Sequence, residues 1–281
     1  MIVKRVFFWG LLLLIVSFPA VSMAQITDFK AHTYENGEGN ELNYRMLKPA
    51  GYDSSKSYPL VLFLHGAGER GSDNFSQLKW GVHHFADPGF REQYPAFVVA
   101  PQVPEDEYWS WLNLDRDSTS ASSFVAPMRE TPTRPMQLTI ELLDQLQEEY
   151  AVDADRLYVT GLSMGGFGTF ALIERFPGKF AAAVPICGGG DAARAFLLKE
   201  MPIWVFHGTE DQAVDVRYSR TMVEAIQLAG GSPGYTEYPD AGHVEAWVQA
   251  YRDPTLYEWM FSKSKQERKE KGSSPNYNDK E

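Results

Sequence analysis

The sequence has one cysteine and a shortage of basic residues. Because Cys187 is alone among the 281 residues, no disulfide can form within the chain. It follows an apolar run and is interpreted as a small buried residue rather than a reactive thiol. Lys and Arg number 26 against 37 Asp and Glu, giving a formal net charge of −11. A nucleic-acid-binding protein needs a basic face to displace counterions from phosphates, so nucleic acid is not expected as a partner.

The sequence also lacks metal-ligand spacing. Its six histidines and its acidic residues do not recur at the separations of known metal sites. The adjacent residues His83 and His84 cannot both face one ion in regular structure. We therefore expect no metal site.

The apolar run at residues 6–16 is shorter than the ~20 residues that a membrane-spanning helix needs. It follows Lys4 and Arg5 and precedes small residues at Ser22 and Ala24. This order predicts a signal peptide over residues 1–24, with a retained membrane anchor as the alternative. We expect an exported protein, periplasmic or secreted, with no stable membrane insertion after cleavage.

Apolar runs typical of strands alternate with helical patterns along the rest of the chain. Strands are predicted at residues 29–33, 41–47, 58–64, 96–100, 156–160, 180–187, 202–206 and 235–238. Helices are predicted at 136–150, from Ser163 to about 174–176, and at 217–229, 244–251 and 254–261. The first two strands flank a turn and predict an antiparallel hairpin. The remainder predicts one α/β domain over residues 25–262, with a mostly parallel sheet and helices on both faces. Residues 263–281 predict a disordered tail.

The segment TGLSMGGFGTF, residues 160–170, predicts a catalytic serine. A strand leads directly through a sharp turn at Ser163 into a helix, which exposes the serine Oγ above the sheet. Gly161 and Gly165 flank Ser163 because side chains there would collide across so tight a turn. Ser163 is the predicted nucleophile.

A serine nucleophile needs a base and an acid that orients the base. Asp211 lies in the segment that directly follows the predicted strand at 202–206 and is the preferred acid, with Glu210 and Asp215 as rivals. His243 is the only histidine C-terminal to Asp211 and is the predicted base. Two other histidines, His65 and His207, each come directly after a predicted strand. Both are predicted to brace the loops that they begin.

Two backbone N–H groups are predicted to stabilise the negative charge that develops on the substrate oxygen. One belongs to Met164, the residue after the nucleophile, and the other to Ala67 in the turn after the strand at 58–64. The long loop at 102–135 is predicted to lie over the active site. Three tryptophans are candidates for a wall that contacts substrate, with ordinary packing as the alternative for each: Trp80, Trp109 and Trp111.

Four motifs together carry a family resemblance over about residues 40–262. They are LFLHGAGERGSDN, TGLSMGGFGTF, VFHGTEDQAV and AGHVEAW. The set resembles exported α/β-hydrolase esterases of the polyhydroxybutyrate-depolymerase-like, feruloyl-esterase-like and phospholipase/carboxylesterase families. The resemblance implies hydrolysis of small-molecule or polysaccharide-linked carboxylic esters through a serine acyl-enzyme, without a cofactor. A serine peptidase with the same triad is the nearest alternative, and a noncatalytic carbohydrate-binding protein on the same fold is the alternative from another class.

Overall fold

Eight strands form one sheet in the computed structural model, which describes residues 26–111 and 126–268. The spatial order is β1-β2-β4-β3-β5-β6-β7-β8. The two pairs β1/β2 and β2/β4 are antiparallel, and the other neighbours are parallel. The predicted hairpin and mostly parallel sheet are thus confirmed. The strands are β1 Lys30–Glu35, β2 Glu41–Leu47, β3 Tyr58–Leu64, β4 Phe97–Pro101, β5 Val152–Leu162, β6 Ala182–Ile186, β7 Trp204–Gly208 and β8 Gly234–Tyr238.

Helices cover both faces of the sheet. They are α1 Pro88–Gln93, α2 Arg134–Glu149, α3 Met164–Arg175, α4 Arg217–Leu228, α5 His243–Arg252 and α6 Pro254–Phe261. Successive residues of the fully buried strand β3 face opposite ways, as a strand's period of two requires. Leu62 packs in the cluster with α2, α3 and α4, whereas Phe63 packs in the cluster with α5 and α6. The two-sided burial explains why β3 is a continuous apolar run.

Several strands begin or end at residues other than those predicted. Strand β5 begins at Val152, well before the predicted 156, and β7 continues through His207 because that residue pairs with Glu237 of β8. Helix α1 was not predicted, since six residues give no periodicity to read. It begins where the Asp87 carboxylate accepts the N–H groups of Gly89 and Phe90.

Residues 263–268, just after the predicted domain boundary, contact the sheet region. The Tyr158 hydroxyl donates to the Lys263 carbonyl at 2.8 Å, and the Arg268 guanidinium donates to the Phe180 carbonyl at 3.5 Å. These contacts join residues 263–268 to β5 and to the segment just before β6, and the domain boundary at residue 262 stays a prediction. The predicted signal peptide and the rest of the predicted tail lie outside the described residues. Within the part that is described, no helix combines the length and apolarity that crossing a membrane requires.

Candidate active site

Ser163 occupies a strained turn between β5 and α3. Its φ of 55° and ψ of −118° lie outside the regions that non-glycine residues ordinarily adopt. The Ser163 N–H donates to the Ile186 carbonyl at 2.9 Å, which ties the turn to β6. A Cβ at Gly165 would collide with the Leu64 carbonyl at the end of β3. The turn can form only with glycine at that position, as the sequence predicts.

The structure brings the three predicted catalytic side chains into one hydrogen-bonded chain. The His243 Nε2 lies 2.9 Å from the Ser163 Oγ, and the His243 Nδ1 lies 2.5 Å from Asp211 Oδ2. Asp211 follows β7 and His243 is the first residue of α5, so both stand at the same edge of the sheet as Ser163. The arrangement lets Nδ1–H donate to Asp211 while Nε2 accepts the serine proton.

Asp211 is nearly buried, with 8% of its surface exposed, and is well supplied with donors. Its Oδ1 accepts the N–H groups of Ala213 at 2.9 Å and Val214 at 2.8 Å. Burial alone would raise the pKa of Asp211, but hydrogen bonds from His207 and His243 outweigh it and hold the pKa below its usual value. The carboxylate is therefore ionised throughout the neutral range.

The two rival acids face elsewhere. Glu210 is exposed to solvent, and its N–H donates to the Ala241 carbonyl at 3.0 Å. Asp215 pairs with the Arg217 guanidinium, with Oδ2 2.6 Å from the nearer nitrogen. Only Asp211 among the three candidates has a hydrogen bond to His243 in the described part of the chain.

The turn that carries Ala67 lies against the nucleophile. A Cβ placed on Gly66 would stand 3.6 Å from the Ser163 Cβ. Ala67 and Met164 both line the cleft that contains Ser163. Among the described residues, no acceptor engages the backbone N–H of either. Both donors are thus free to receive a substrate oxygen, and their assignment to an oxyanion hole stays a prediction.

His65 braces this turn as a neutral imidazole. Its Nδ1 donates to the Gly66 carbonyl at 2.6 Å, and its Nε2 accepts the Val103 N–H at 3.0 Å. Burial lowers the pKa of His65 to about 4. The side chain therefore acts as a fixed link between the loops that follow β3 and β4.

The stability of the fold is expected to fall as the pH drops from about 6.5 to about 4. Unfolded His65 gains a proton in this window and folded His65 does not, so acid favours the unfolded chain. The shift corresponds to about 3 kcal/mol in the free energy of unfolding. Urea unfolding of the wild type and His65→Asn at about pH 7.5 and about pH 4.5 checks this, since the variant should lose less stability between the two. Equal losses would contradict it.

The aromatic side chains divide into two groups. Trp80 and Tyr108 line the open cleft that contains Ser163 and His243. Trp109 is completely buried instead, and its Nε1 donates to the His65 carbonyl at 3.0 Å. Of the two alternatives given for Trp109, ordinary packing fits its burial, because the indole fills space beside Gly168.

Trp111 lies apart from the cleft as well. It borders a separate cavity, its Nε1 donates to the Thr131 carbonyl at 3.1 Å, and the Arg129 guanidinium stacks on its ring at 4.5 Å. Of the three tryptophans predicted for the wall, Trp80 is the one that lines the cleft containing Ser163. The described part of the loop at 102–135 reaches the cleft through Tyr108, and residues 112–125 lie outside the described residues.

Two side chains in the cleft were missed by the sequence analysis. Trp247 packs edge-on against His243, with ring centroids 4.8 Å apart, and against Trp80 at 6.0 Å. Its position one helical turn after His243 on α5 is the signal that could have revealed it. Glu69 is 95% buried, and burial raises the pKa of its carboxyl. It belongs to the same turn as Ala67.

One group of described side chains has the composition of a metal site. Ligand atoms of Cys187, His207 and Asp211 lie within 4.8 Å of one another, and all three residues are buried. Both ring nitrogens of His207 already have hydrogen-bond partners in the protein. Burial raises the pKa of the Cys187 thiol well above its usual value, which keeps the sulfur protonated and a poor ligand.

Comparison with known proteins identifies the family. The profile described as phospholipase/carboxylesterase matches residues 52–250. A solved thermostable esterase is 40% identical, with a TM-score of 0.77 over 86% of this chain and 64% of that one. A bifunctional acetylxylan esterase/xylanase of Neocallimastix patriciarum is 24% identical over 83% of this chain. Dipeptidyl-peptidase 5 of Porphyromonas gingivalis is 24% identical over 79% of it. The chain spans only about a third of the length of these two curated relatives, 30% and 35%.

Proposed function

The chain belongs to the phospholipase/carboxylesterase family of α/β-hydrolases, and from that membership we propose that it is an exported serine hydrolase of carboxylic esters. Ser163 is the nucleophile, His243 the general base and Asp211 the acid that orients it. The observation that carries the proposal is the hydrogen-bonded chain from Ser163 Oγ to His243 Nε2 and from His243 Nδ1 to Asp211 Oδ2. Export rests on the predicted signal peptide at residues 1–24.

The reaction proceeds through an acyl-enzyme. The Ser163 Oγ attacks the ester carbonyl carbon while His243 Nε2 takes the hydroxyl proton. The N–H groups of Met164 and Ala67 receive the oxyanion, and His243 returns its proton to the departing alcohol. A water molecule then repeats the sequence on the acyl carbon, releasing the acid and restoring Ser163.

The cleft supports a substrate with an apolar or aromatic portion. Trp80, Trp247 and Tyr108 supply flat apolar surfaces beside Ser163, and such surfaces stack on sugar and aryl rings. We therefore propose an acetyl or feruloyl ester linked to a small alcohol or to a polysaccharide as the substrate class.

Covalent trapping tests the nucleophile directly. A fluorophosphonate is expected to add once per chain, and peptide mass mapping should place the adduct on Ser163. The trapped protein should hydrolyse none of p-nitrophenyl acetate, p-nitrophenyl butyrate, methyl ferulate and acetylated xylan. An adduct on another residue, or ester turnover by fully trapped protein, would contradict the proposal.

A peptidase with the same triad is the second candidate. The 24% identity to dipeptidyl-peptidase 5 of Porphyromonas gingivalis favours it, since amide and ester cleavage share the acyl-enzyme. A peptide anilide in the same panel separates the two functions. Turnover of the anilide with none of any ester would assign the chain to peptide hydrolysis.

A further inference from the structure

A second histidine contacts the carboxylate that orients His243. His207, the fourth residue of β7, is completely buried, and its Nε2 lies 3.2 Å from Asp211 Oδ2. The same nitrogen lies 2.9 Å from the Val214 carbonyl, and Nδ1 lies 2.7 Å from the Ser219 Oγ. His207 stands four residues before Asp211, and its Nε2 reaches the same carboxylate oxygen as His243.

The partners of His207 fix a proton on Nε2. A backbone carbonyl and an ionised carboxylate only accept hydrogen bonds, so the nitrogen between Val214 and Asp211 must be the donor. The Ser219 hydroxyl has one proton, and its oxygen also lies 2.9 Å from the Gly188 carbonyl. It can therefore donate to Gly188 and accept from His207 Nδ1, or donate to Nδ1 instead. Either arrangement at Nδ1 leaves the Nε2–H directed at Asp211.

The two imidazoles share one oxygen of Asp211. Oδ1 is occupied by the N–H groups of Ala213 and Val214, and Oδ2 faces both His243 and His207. A donor on Oδ2 withdraws negative charge from the atom that must stabilise the His243 imidazolium. We propose, on the premise that the proposed triad is correct, that His207 is a positioning residue that fixes Asp211 and sets how strongly Asp211 holds the proton of His243.

His65 and His207 differ in the groups that their ring nitrogens contact. Both histidines are buried at strand ends and are followed by glycine. His65 contacts backbone groups at both nitrogens, whereas one nitrogen of His207 contacts Asp211. A residue needed only to brace its loop would not require the carboxylate as a partner.

Other ionisable groups also lie around His207 in the described part of the chain. Asp215 and Glu237 are both near enough to interact with it electrostatically, and Glu237 is paired with Arg220 at 2.7 Å. Cys187 faces Asp211 from β6, and its thiol stays neutral because burial raises its pKa. Over the neutral range the charge nearest His207 is therefore the Asp211 carboxylate.

The pH dependence of catalysis tests the proposal. In His207→Leu the Asp211 Oδ2 atom keeps more negative charge and therefore stabilises the imidazolium form of His243 more strongly. Because catalysis needs neutral His243, the acid limb of kcat/KM against pH should move to higher pH by roughly one unit. In His207→Gln the amide can still donate, so the limb should lie nearer its wild-type position. His65→Leu is the matched control, expected to lose stability without moving the limb.

Two further readouts keep the test decisive if His207→Leu fails to fold. His207→Gln is then compared with wild type, and ¹⁵N-histidine NMR of the wild type should show a proton on His207 Nε2 across the neutral range. A bare Nε2, or folded variants whose acid limb coincides with wild type, would overturn the proposal. Turnover that survives Ser163→Ala would instead overturn the proposed function. If Ser163→Ala abolishes turnover but the acid limb of kcat/KM does not move in the His207 variants, only the proposed role of His207 is wrong.

Discussion

Replacing Ser163 with alanine is expected to lower kcat/KM for ester hydrolysis by about 10⁵- to 10⁶-fold. The variant lacks the atom that attacks the carbonyl, and the described chain places no other hydroxyl on His243 Nε2. The strain at φ 55° is nearly the same for both residues because alanine keeps the Cβ, so the turn should form as before. Initial rates on p-nitrophenyl acetate and methyl ferulate, measured beside wild type in one preparation series, give the ratio.

A matched serine substitution shows that the loss belongs to the site. Ser55 is exposed in a turn where its hydroxyl donates to Asp53 at 2.7 Å, far along the chain from the cleft. Ser55→Ala should retain wild-type turnover and a wild-type unfolding midpoint. A decrease of less than about 100-fold in Ser163→Ala would assign the nucleophile elsewhere, because removal of a true nucleophile costs far more.

Local sequence patterns predicted the three side chains that the structure joins in one hydrogen-bonded chain. Each lies at or shortly after the end of a strand, and the strands of a parallel sheet end at a common edge. Ser163 could be predicted because it is flanked by glycines, which a tight turn needs. Asp211 and His243 follow it in the order of the α/β-hydrolase triad. The order of motifs along the chain was therefore enough to predict which three side chains come together, while their catalytic roles stay a prediction.

Positions that depend on packing between distant segments could not be predicted in the same way. Trp109 and Trp80 are the same residue type, yet Trp109 packs against Gly168 and Trp80 lines the cleft that contains Ser163. The anchoring of Arg268 to the Phe180 carbonyl likewise depends on a contact between residues 88 positions apart. Neither feature leaves a periodic or local signal in the sequence.

His207 is an intermediate case. The sequence analysis assigned it to loop bracing because a histidine followed by glycine after a strand often serves that purpose. Its separation of four residues from Asp211 was visible, but β7 was predicted to end at 206. Since β7 continues through Gly208, His207 is a completely buried strand residue, and its Nε2 reaches the Asp211 carboxylate.

Replacing Asp211 with asparagine is expected to lower kcat by about 10⁴-fold while leaving the fold intact. The two backbone N–H groups of Ala213 and Val214 hold an acceptor at the Oδ1 position, so the amide oxygen should settle there. The amide nitrogen then occupies the Oδ2 position and presents its hydrogens to His243 Nδ1. His243 is forced into the tautomer with its proton on Nε2, which cannot accept the proton of Ser163.

The neighbouring acid supplies the matched control for this substitution. Glu210→Gln removes one negative charge from an exposed side chain next to Asp211, and turnover should remain within about twofold of wild type. Steady-state kinetics on one ester, with unfolding midpoints for both variants, distinguish loss of the catalytic tautomer from loss of charge. A 10⁴-fold loss in Glu210→Gln with an active Asp211→Asn would transfer the acid to Glu210. The geometry argues against that outcome, because the buried Asp211 Oδ2 lies 2.5 Å from His243 Nδ1 and Glu210 faces solvent.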